Sequence, residues 1–342
     1  MSEQIKNERL RICLIGCGAI HHHHAEAICG DDRLKLAAFA DIEPDRARAA
    51  AETYGGNAYS DWIEMLERER PDAVHICTPH YLHEPMAVEA MRRGCHVFCE
   101  KPMAISVEGA GRMAAVSKET GKKLGICFQN RFRETAQTML GLLRSGEVGR
   151  IIGAKATMTW NRGMDYYRSG PWRGLWATEG GGVLINQSIH TLDLLDQCCG
   201  GFCSVNAHVD RYMLQDPYEV EDTAVANFMI KGGGNAVFFA TNCYAASTPP
   251  EISVVCEKAT LTLADELTIR CKDGRREVMT DPPIPVSGKT VWGSCHGVAI
   301  RRFYDSVLGG GDFPIGPEEG ERTIRLIDGI YRSSKLGHSV EL

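Results

Sequence analysis

The chain has 342 residues, enough at roughly 100–200 residues per domain for two domains that each bury a core, which excludes a mini-protein. Lys and Arg number 38 against 44 Asp and Glu, a net charge of −6, and 44% of residues are hydrophobic, an ordinary globular balance. An acidic chain with no long Lys/Arg run lacks the phosphate-neutralising stripe of a nucleic-acid binder, and no apolar run reaches the about 18 residues of a membrane span. The opening MSEQIKNERLR is too polar for a signal peptide, so a soluble cytosolic protein is expected, with its 14 cysteines as reduced thiols. Cys95 with Cys99, and Cys198 and Cys199 with Cys203, approach metal spacing, but neither has a C-x2-C partner pair, so no metal is expected.

Residues 11–128 alternate apolar runs with helical patterns: RICLIG, then 19–29; LKLAAFAD, then 43–54; AVHICT, then 83–93; HVFCE, then 105–120; and KLGICF. The runs are continuously hydrophobic, as in a parallel, doubly wound α/β sheet covered on both faces by helices. After about residue 128 the stretches lengthen and alternate: IIGAKATMTW, CSVNAHVDRYML, TAVANFMI, NAVFFATNCY, ISVVCEKATLTLA and ELTIRC, with turn signals such as KGGGN and KDGR. This predicts a large, mostly antiparallel open sheet. With helices near 134–145, 296–309 and 317–334, the second half reads as an α+β domain. The expected division is 1–128 and 129–342.

The first strand runs into Gly16-Cys17-Gly18-Ala19-Ile20-His21. There Gly16 permits a tight turn, and Gly18 lets backbone N–H groups approach a pyrophosphate at a helix N-terminus. His21 stands where such turns usually carry Gly or Ala, so its ring must turn outward or loosen the helix-to-strand contact. The four histidines His21 to His24 lie inside this motif. Asp41 ends the second strand, where a carboxylate accepts both ribose hydroxyls and repels a 2′-phosphate, favouring NAD over NADP. Arg46 and Arg48, on the following helix, are the counter-argument.

Gly16-x-Gly18 with His24-Ala25, then Thr78-Pro79-His80-x-x-His83, then Glu100-Lys101-Pro102, resemble the Gfo/Idh/MocA family of sugar and cyclitol oxidoreductases. Gly180-Gly181-Gly182, leading to Asn186-Gln187-Ser188-Ile189-His190 and Asp193, resembles that family's glycine-rich turn and catalytic helix; Glu221-Asp222 and the stretch from His296 to Tyr304 also match. The resemblance covers nearly the whole chain. It implies a Rossmann-type cofactor domain, NAD as cofactor, and a dimer or tetramer formed through the second domain's sheet. Thr78, Pro79 and His83, with Gly16, Gly18, Ala19, Ile20, Glu100, Lys101 and Gln129, become its cofactor-side residues.

Moving a hydride from a secondary alcohol requires one group to take the hydroxyl proton and another to steady the developing alkoxide. Lys101, at the carboxyl edge of the parallel sheet, suits the second task; its alternative is a surface pair with Glu100. The resemblance assigns proton transfer to His190, against the alternative of a core histidine. His190 follows Asn186 by one helical turn, and relatives often carry Asp at position 186. An amide cannot take a proton, so the base is expected to be His190 or Lys101 rather than an Asp–His pair, with Asn186 hydrogen-bonding a substrate hydroxyl, and nucleotide-sugar dehydrogenases that resemble this chain also use Asn there. Arg131 either binds substrate or forms an interdomain ion pair. Trp160, Arg162 and Tyr167 are expected at the substrate and Trp172 with Arg173 at the cofactor, aromatic faces suiting the C–H patches of a sugar ring; a packed loop at a subunit contact is the alternative.

A sheet-rich second domain leaves an apolar face that another subunit would cover. The leading expectation is thus an NAD-dependent dehydrogenase acting on a ring hydroxyl of a sugar, glycoside, cyclitol or nucleotide sugar. The alternatives are an enzyme that retains NAD and cleaves a glycoside without net redox, and a dinucleotide-binding sensor with no use for Lys101 and His190.

Overall fold

In a computed structural model that describes residues 9–282 and 295–342, six short apolar strands form a parallel sheet. They are β1 (Leu10–Ile15), β2 (Leu34–Ala40), β3 (Asn57–Tyr59), β4 (Ala73–Ile76), β5 (His96–Cys99) and β6 (Leu124–Ile126), in the order β3-β2-β1-β4-β5-β6. The helices α1 (His21–Cys29), α2 (Pro44–Tyr54), α3 (Trp62–Glu69), α4 (His83–Arg92) and α5 (Val107–Thr120) connect them. Strand order reverses between β1 and β4, the point where ligands bind in such sheets. The central strands are buried along their length because helices cover them, as their unbroken apolar runs predict. Sequence periodicity misses β3 and α3; β3 is a three-residue edge strand with two exposed positions, too short to show a pattern.

The second sheet has nine strands. It is built from β7 (Ile151–Thr159), β8 (Phe202–Asp210), β9 (Thr223–Ile230), β10 (Asn235–Thr241), β11 (Glu251–Cys256), β12 (Ala259–Leu263), β13 (Glu266–Cys271), β14 (Arg276–Thr280) and β15 (Val340–Glu341). Its order is β14-β13-β12-β11-β7-β10-β9-β8-β15, and among the described residues only the β7–β10 pair is parallel. The helices α6 (Glu134–Ser145), the single-turn α7 (Met164–Arg168) and α8 (Ile189–Cys199) lie in the chain before or between these strands. The stretch ISVVCEKATLTLA, read as one strand, is a hairpin with Val255 opposite Thr260; its Glu257-Lys258 turn carries no Gly or Asn to announce it. Strict alternation in β9 buries Ala224, Ala226 and Phe228 and exposes Val225 and Met229.

The structure divides the chain differently from a single cut after residue 128. One unit takes residues up to Ala104, Glu108–Cys127 and also His296–Gly320; the other takes Ile105–Val107, Phe128–Cys295 and Glu321–Leu342. The cause is α9 (His296–Gly309), which packs on α1 and places Phe303 against Phe98 and Phe313 under the parallel sheet. A helix α10 (Pro317–Leu336) follows. Ten of the 14 cysteines are buried. No helix among the described residues is long and apolar enough to cross a membrane.

Candidate active site

At the end of β1 the backbone turns through Gly16 at φ +94°; a Cβ there would lie 2.7 Å from the Cys77 carbonyl, so no larger residue fits. Gly18 is the opposite case, because a Cβ on it would meet no atom within 4 Å. That open side, with Ala19 exposed and Ile20 half-buried just before α1, leaves room for a phosphate at the helix N-terminus. The His21 ring folds back on this turn, its Nδ1 lying 2.6 Å from the Gly18 carbonyl.

Asp41 anchors this loop. Its Oδ2 accepts from Cys17 N at 2.7 Å and its Oδ1 from Glu43 N at 2.9 Å, so each oxygen keeps a lone pair for a ribose hydroxyl. Arg46 and Arg48 are exposed, and Arg48 pairs with Asp45. Replacing Asp41 by Ala is expected to weaken NAD about 10–100-fold, the loss of charged hydrogen bonds, and to narrow the gap to NADP. Asp41→Asn keeps one acceptor and isolates the charge. Unchanged NAD affinity in both variants, measured by fluorescence titration, would place the acid away from the ribose.

Thr78 and Pro79 form the half-buried turn after β4. His83, expected to contact cofactor, is instead fully buried between two backbone carbonyls, with Nδ1 2.7 Å from that of Pro102 and Nε2 2.9 Å from that of Thr78. It fastens the turn after β4 to the turn after β5. Glu100 points inward as well, with Oε1 2.9 Å from His24 Nε2 and 3.5 Å from His296 Nε2. Burial alone would raise this carboxyl, but hydrogen bonds from His24 and His296 hold it well below the usual carboxylate range. Lys101 follows at the edge of the sheet, half-buried, its N–H donating to Glu100 Oε2 at 3.3 Å. Glu100 is thus a support beneath Lys101.

In the second unit, Arg131 is a correction to the substrate-side expectation. Its guanidinium is buried and bidentate to Asp193, Nε to Oδ2 at 2.7 Å and Nη2 to Oδ1 at 2.5 Å, and Thr323 also donates to Asp193 at 3.0 Å. With its fork closed on an acid of α8, Arg131 holds the helix that carries His190. Phe128 completes the support, lying under the Arg131 guanidinium and edge-on to the half-buried His190 ring at 5.8 Å. Gln129 is buried in the short turn that also carries Arg131.

Tyr167 is a second correction: it is 1% exposed, packed with Leu214 and Val220, and its hydroxyl accepts from Asn242. Its neighbour Tyr166 is the polar one. Tyr166 Oη accepts from Arg173 Nη1 at 2.5 Å, Gln187 Nε2 at 2.9 Å and Asn186 Nδ2 at 3.1 Å. Arg162 stacks on Trp160 and Tyr166, and Arg173 on Tyr166 and Trp172, with guanidinium carbons 4.3–5.4 Å from the ring centres. Two cations on three rings make one half-buried, electropositive aromatic face, so Trp172 and Arg173 sit with Trp160 and Arg162.

Asn186 is not on the helix of His190. It sits in the turn before α8, its N–H donating to the Gly182 carbonyl, and its amide donates to Glu179 Oε1 at 2.5 Å. Glu179, wholly buried, also accepts from Gly174 N and is a site residue the sequence reading overlooks. It immediately precedes the glycine run Gly180 to Gly182, the one signal that could have found it. Arranged so, the amide is oriented by a carboxylate.

Glu221 and Asp222 hold the scaffold. Asp222 gathers the N–H groups of Tyr212, Met213 and Leu214. Glu221 accepts from Gly182 N, Leu184 N and the Tyr331 hydroxyl, each at 3.0 Å, yet burial pushes its carboxyl up to about 7 from 4.5. A carboxyl whose folded pKa stands above its unfolded value stabilises the protein below the unfolded value and loses that contribution as pH rises through the folded one. The stability of the wild type relative to Glu221→Gln is expected to fall by roughly 3 kcal/mol between pH 4.5 and 7. Urea midpoints across that range check it; a constant difference between the two proteins would refute it.

A six-stranded parallel sheet whose strand order reverses at its centre, followed by a large open sheet, is the architecture of two-domain dinucleotide-dependent oxidoreductases. Residues 10–128 match the family model "Oxidoreductase family, NAD-binding Rossmann fold" and residues 136–262 match "GFO/IDH/MocA C-terminal domain"; the chain belongs to the Gfo/Idh/MocA family. Among its relatives, D-glucoside 3-dehydrogenase of Escherichia coli is 29% identical with both chains fully covered. D-apiose dehydrogenase of Paraburkholderia graminis is 26% identical over 98% of this chain and 90% of its own. Among solved structures, the WlbA dehydrogenase of Bordetella pertussis, in complex with NADH and UDP-GlcNAcA, is 29% identical with a TM-score of 0.85, covering 98% of this chain and 99% of that one.

Proposed function

We propose that this protein is a cytoplasmic NAD-dependent dehydrogenase that oxidises a ring hydroxyl of a sugar-like substrate. The observation that carries the reading is the end-to-end likeness to D-glucoside 3-dehydrogenase in a chain whose sequence has both Lys101 and His190. The loop anchored on Asp41 and open at Gly18 fits a dinucleotide, which when bound accepts the hydride. Gly16, Gly18, Asp41 and Thr78 would hold it. Lys101 supplies a positive charge to the developing alkoxide, His190 takes the hydroxyl proton, and Asn186 orients a neighbouring hydroxyl. The face formed by Arg162 and Arg173 suits a sugar that carries a carboxylate or phosphate.

The test is the near-ultraviolet absorbance of reduced nicotinamide after mixing the protein with NAD or NADP and a panel of pyranosides, inositols, sugar acids and nucleotide sugars. A rise with NAD is expected, largest with anionic sugars. NAD binding without a rise on any member, together with consumption of a glycoside, would replace this reading by cleavage without net redox.

We also propose that a second copy covers the outer face of the nine-stranded sheet, where Ile152, Val225, Met229, Val237 and Val255 are each more than 40% exposed. A light-scattering mass of one chain would overturn this.

A further inference from the structure

Four side chains that lie far apart in sequence meet inside the first unit. His24 on α1, Glu100 after β5, Cys127 after β6 and His296 at the start of α9 each offer one ligand atom, and the four atoms lie within 4.8 Å of one another. All four residues are buried, at 0%, 7%, 0% and 5% exposure. We propose that they form a closed site for a divalent transition metal of the zinc class. The inference concerns the architecture beneath Lys101 and stands apart from the choice of substrate.

Three physical arguments converge. The first is charge. A carboxylate, a thiolate and two neutral imidazoles carry two negative charges, which a divalent cation cancels in a place where uncompensated charge is costly. The second is donor type. Two nitrogens, one sulfur and one carboxylate oxygen suit zinc or cobalt(II), whereas calcium and magnesium prefer all-oxygen shells. A tetrahedral zinc at about 2.0–2.3 Å from each donor separates its donors by roughly 3.3–3.8 Å, a spacing compatible with four atoms that lie within 4.8 Å of one another.

The third is the outer shell. A histidine that binds metal through Nε2 places its proton on Nδ1 and needs an acceptor there. His24 Nδ1 lies 2.8 Å from Nδ1 of the buried His75, whose Nε2 lies 2.8 Å from the Tyr304 hydroxyl. When His75 Nε2 donates to Tyr304, His75 Nδ1 is left to accept the His24 Nδ1 proton, so metal binding at His24 Nε2, in place of its hydrogen bond to Glu100, has an acceptor ready. Four protein donors leave no open position, which marks the site as structural. Its effect is to tie α9 to α1 and to the strand ends that present Glu100 and Lys101.

The experiment uses the full chain, stripped with a chelator under reducing conditions and titrated with cobalt(II). About one equivalent is expected to bind, giving visible ligand-field bands of tetrahedral intensity and a thiolate-to-cobalt charge-transfer band. Zinc is expected to displace it and to raise the melting temperature of the wild type. Cys127→Ser is expected to abolish the charge-transfer band, and His296→Ala to weaken cobalt by more than about tenfold. Should either variant fail to fold by circular dichroism, the wild-type spectrum and the zinc-dependent melting shift still decide. Absence of cobalt bands and of any zinc-dependent shift in the wild type overturns the proposal. So does an unaltered spectrum in both folded variants, which would put the metal on the His21–His23 run or on another thiol.

Discussion

Replacing His190 by Ala is expected to lower kcat/KM by about 10²–10⁴ while leaving NAD affinity within about twofold, the signature of a lost proton acceptor. Lys101→Met is expected to cost a similar factor, because it removes the charge that steadies the alkoxide in the proposed reaction and keeps a side chain of comparable length. The double variant should lose little more than the worse single one, since residues acting as a unit on one step are not additive. His190 stands on α8, whose Asp193 is held by Arg131 and Thr323, and its ring rests edge-on to Phe128; the helix should survive truncation of the side chain. Stopped-flow turnover with the best sugar of the panel, beside fluorescence titration of NAD, separates the two effects. Variants that bind NAD normally and turn over no substrate end the sensor reading; variants with wild-type turnover end the assignment of these residues.

Much of this was legible in the residues because parallel strands covered on both faces leave unbroken apolar runs, and β1, β2, β4, β5 and β6 all do so. The cofactor turn was legible for a similar reason. Gly16 faces backbone at 2.7 Å and Gly18 faces nothing, two requirements that select glycine directly in sequence. What resisted reading depends on contacts between distant positions. Arg131 and Asp193 are 62 residues apart, and nothing local says that the guanidinium closes on that acid rather than on a ligand. Tyr166 and Tyr167 are adjacent on one helical turn, so which enters the apolar cluster is decided by where Leu214 and Val220 lie. The histidine run was ambiguous for the same reason. Three of its rings remain half-buried, while His24 alone goes inside to meet Glu100 and His75.

Gly182→Ala is expected to destabilise the protein by more than about 3 kcal/mol, enough to deplete the folded state near physiological temperature. A Cβ at this position would stand 1.8 Å from the Glu221 carbonyl oxygen and 2.9 Å from Val220 Cγ2, and the nearer obstacle is backbone, which cannot rotate away. The same substitution would disturb the N–H that Gly182 donates to the Glu221 carboxylate at 3.0 Å, and with it the turn that sets Asn186 before α8. Gly18→Ala is the matched control. Its Cβ meets no atom within 4 Å, so its urea midpoint should stay within about 0.5 kcal/mol of wild type. NAD affinity should nevertheless drop by about tenfold or more, because a methyl group then occupies the side from which a pyrophosphate approaches. One glycine is thus required by the folded chain and the other by its ligand. A Gly18→Ala protein that binds NAD normally would move the dinucleotide off this turn, and a stable Gly182→Ala protein would show that the loop carrying Glu221 ahead of β9 can give way.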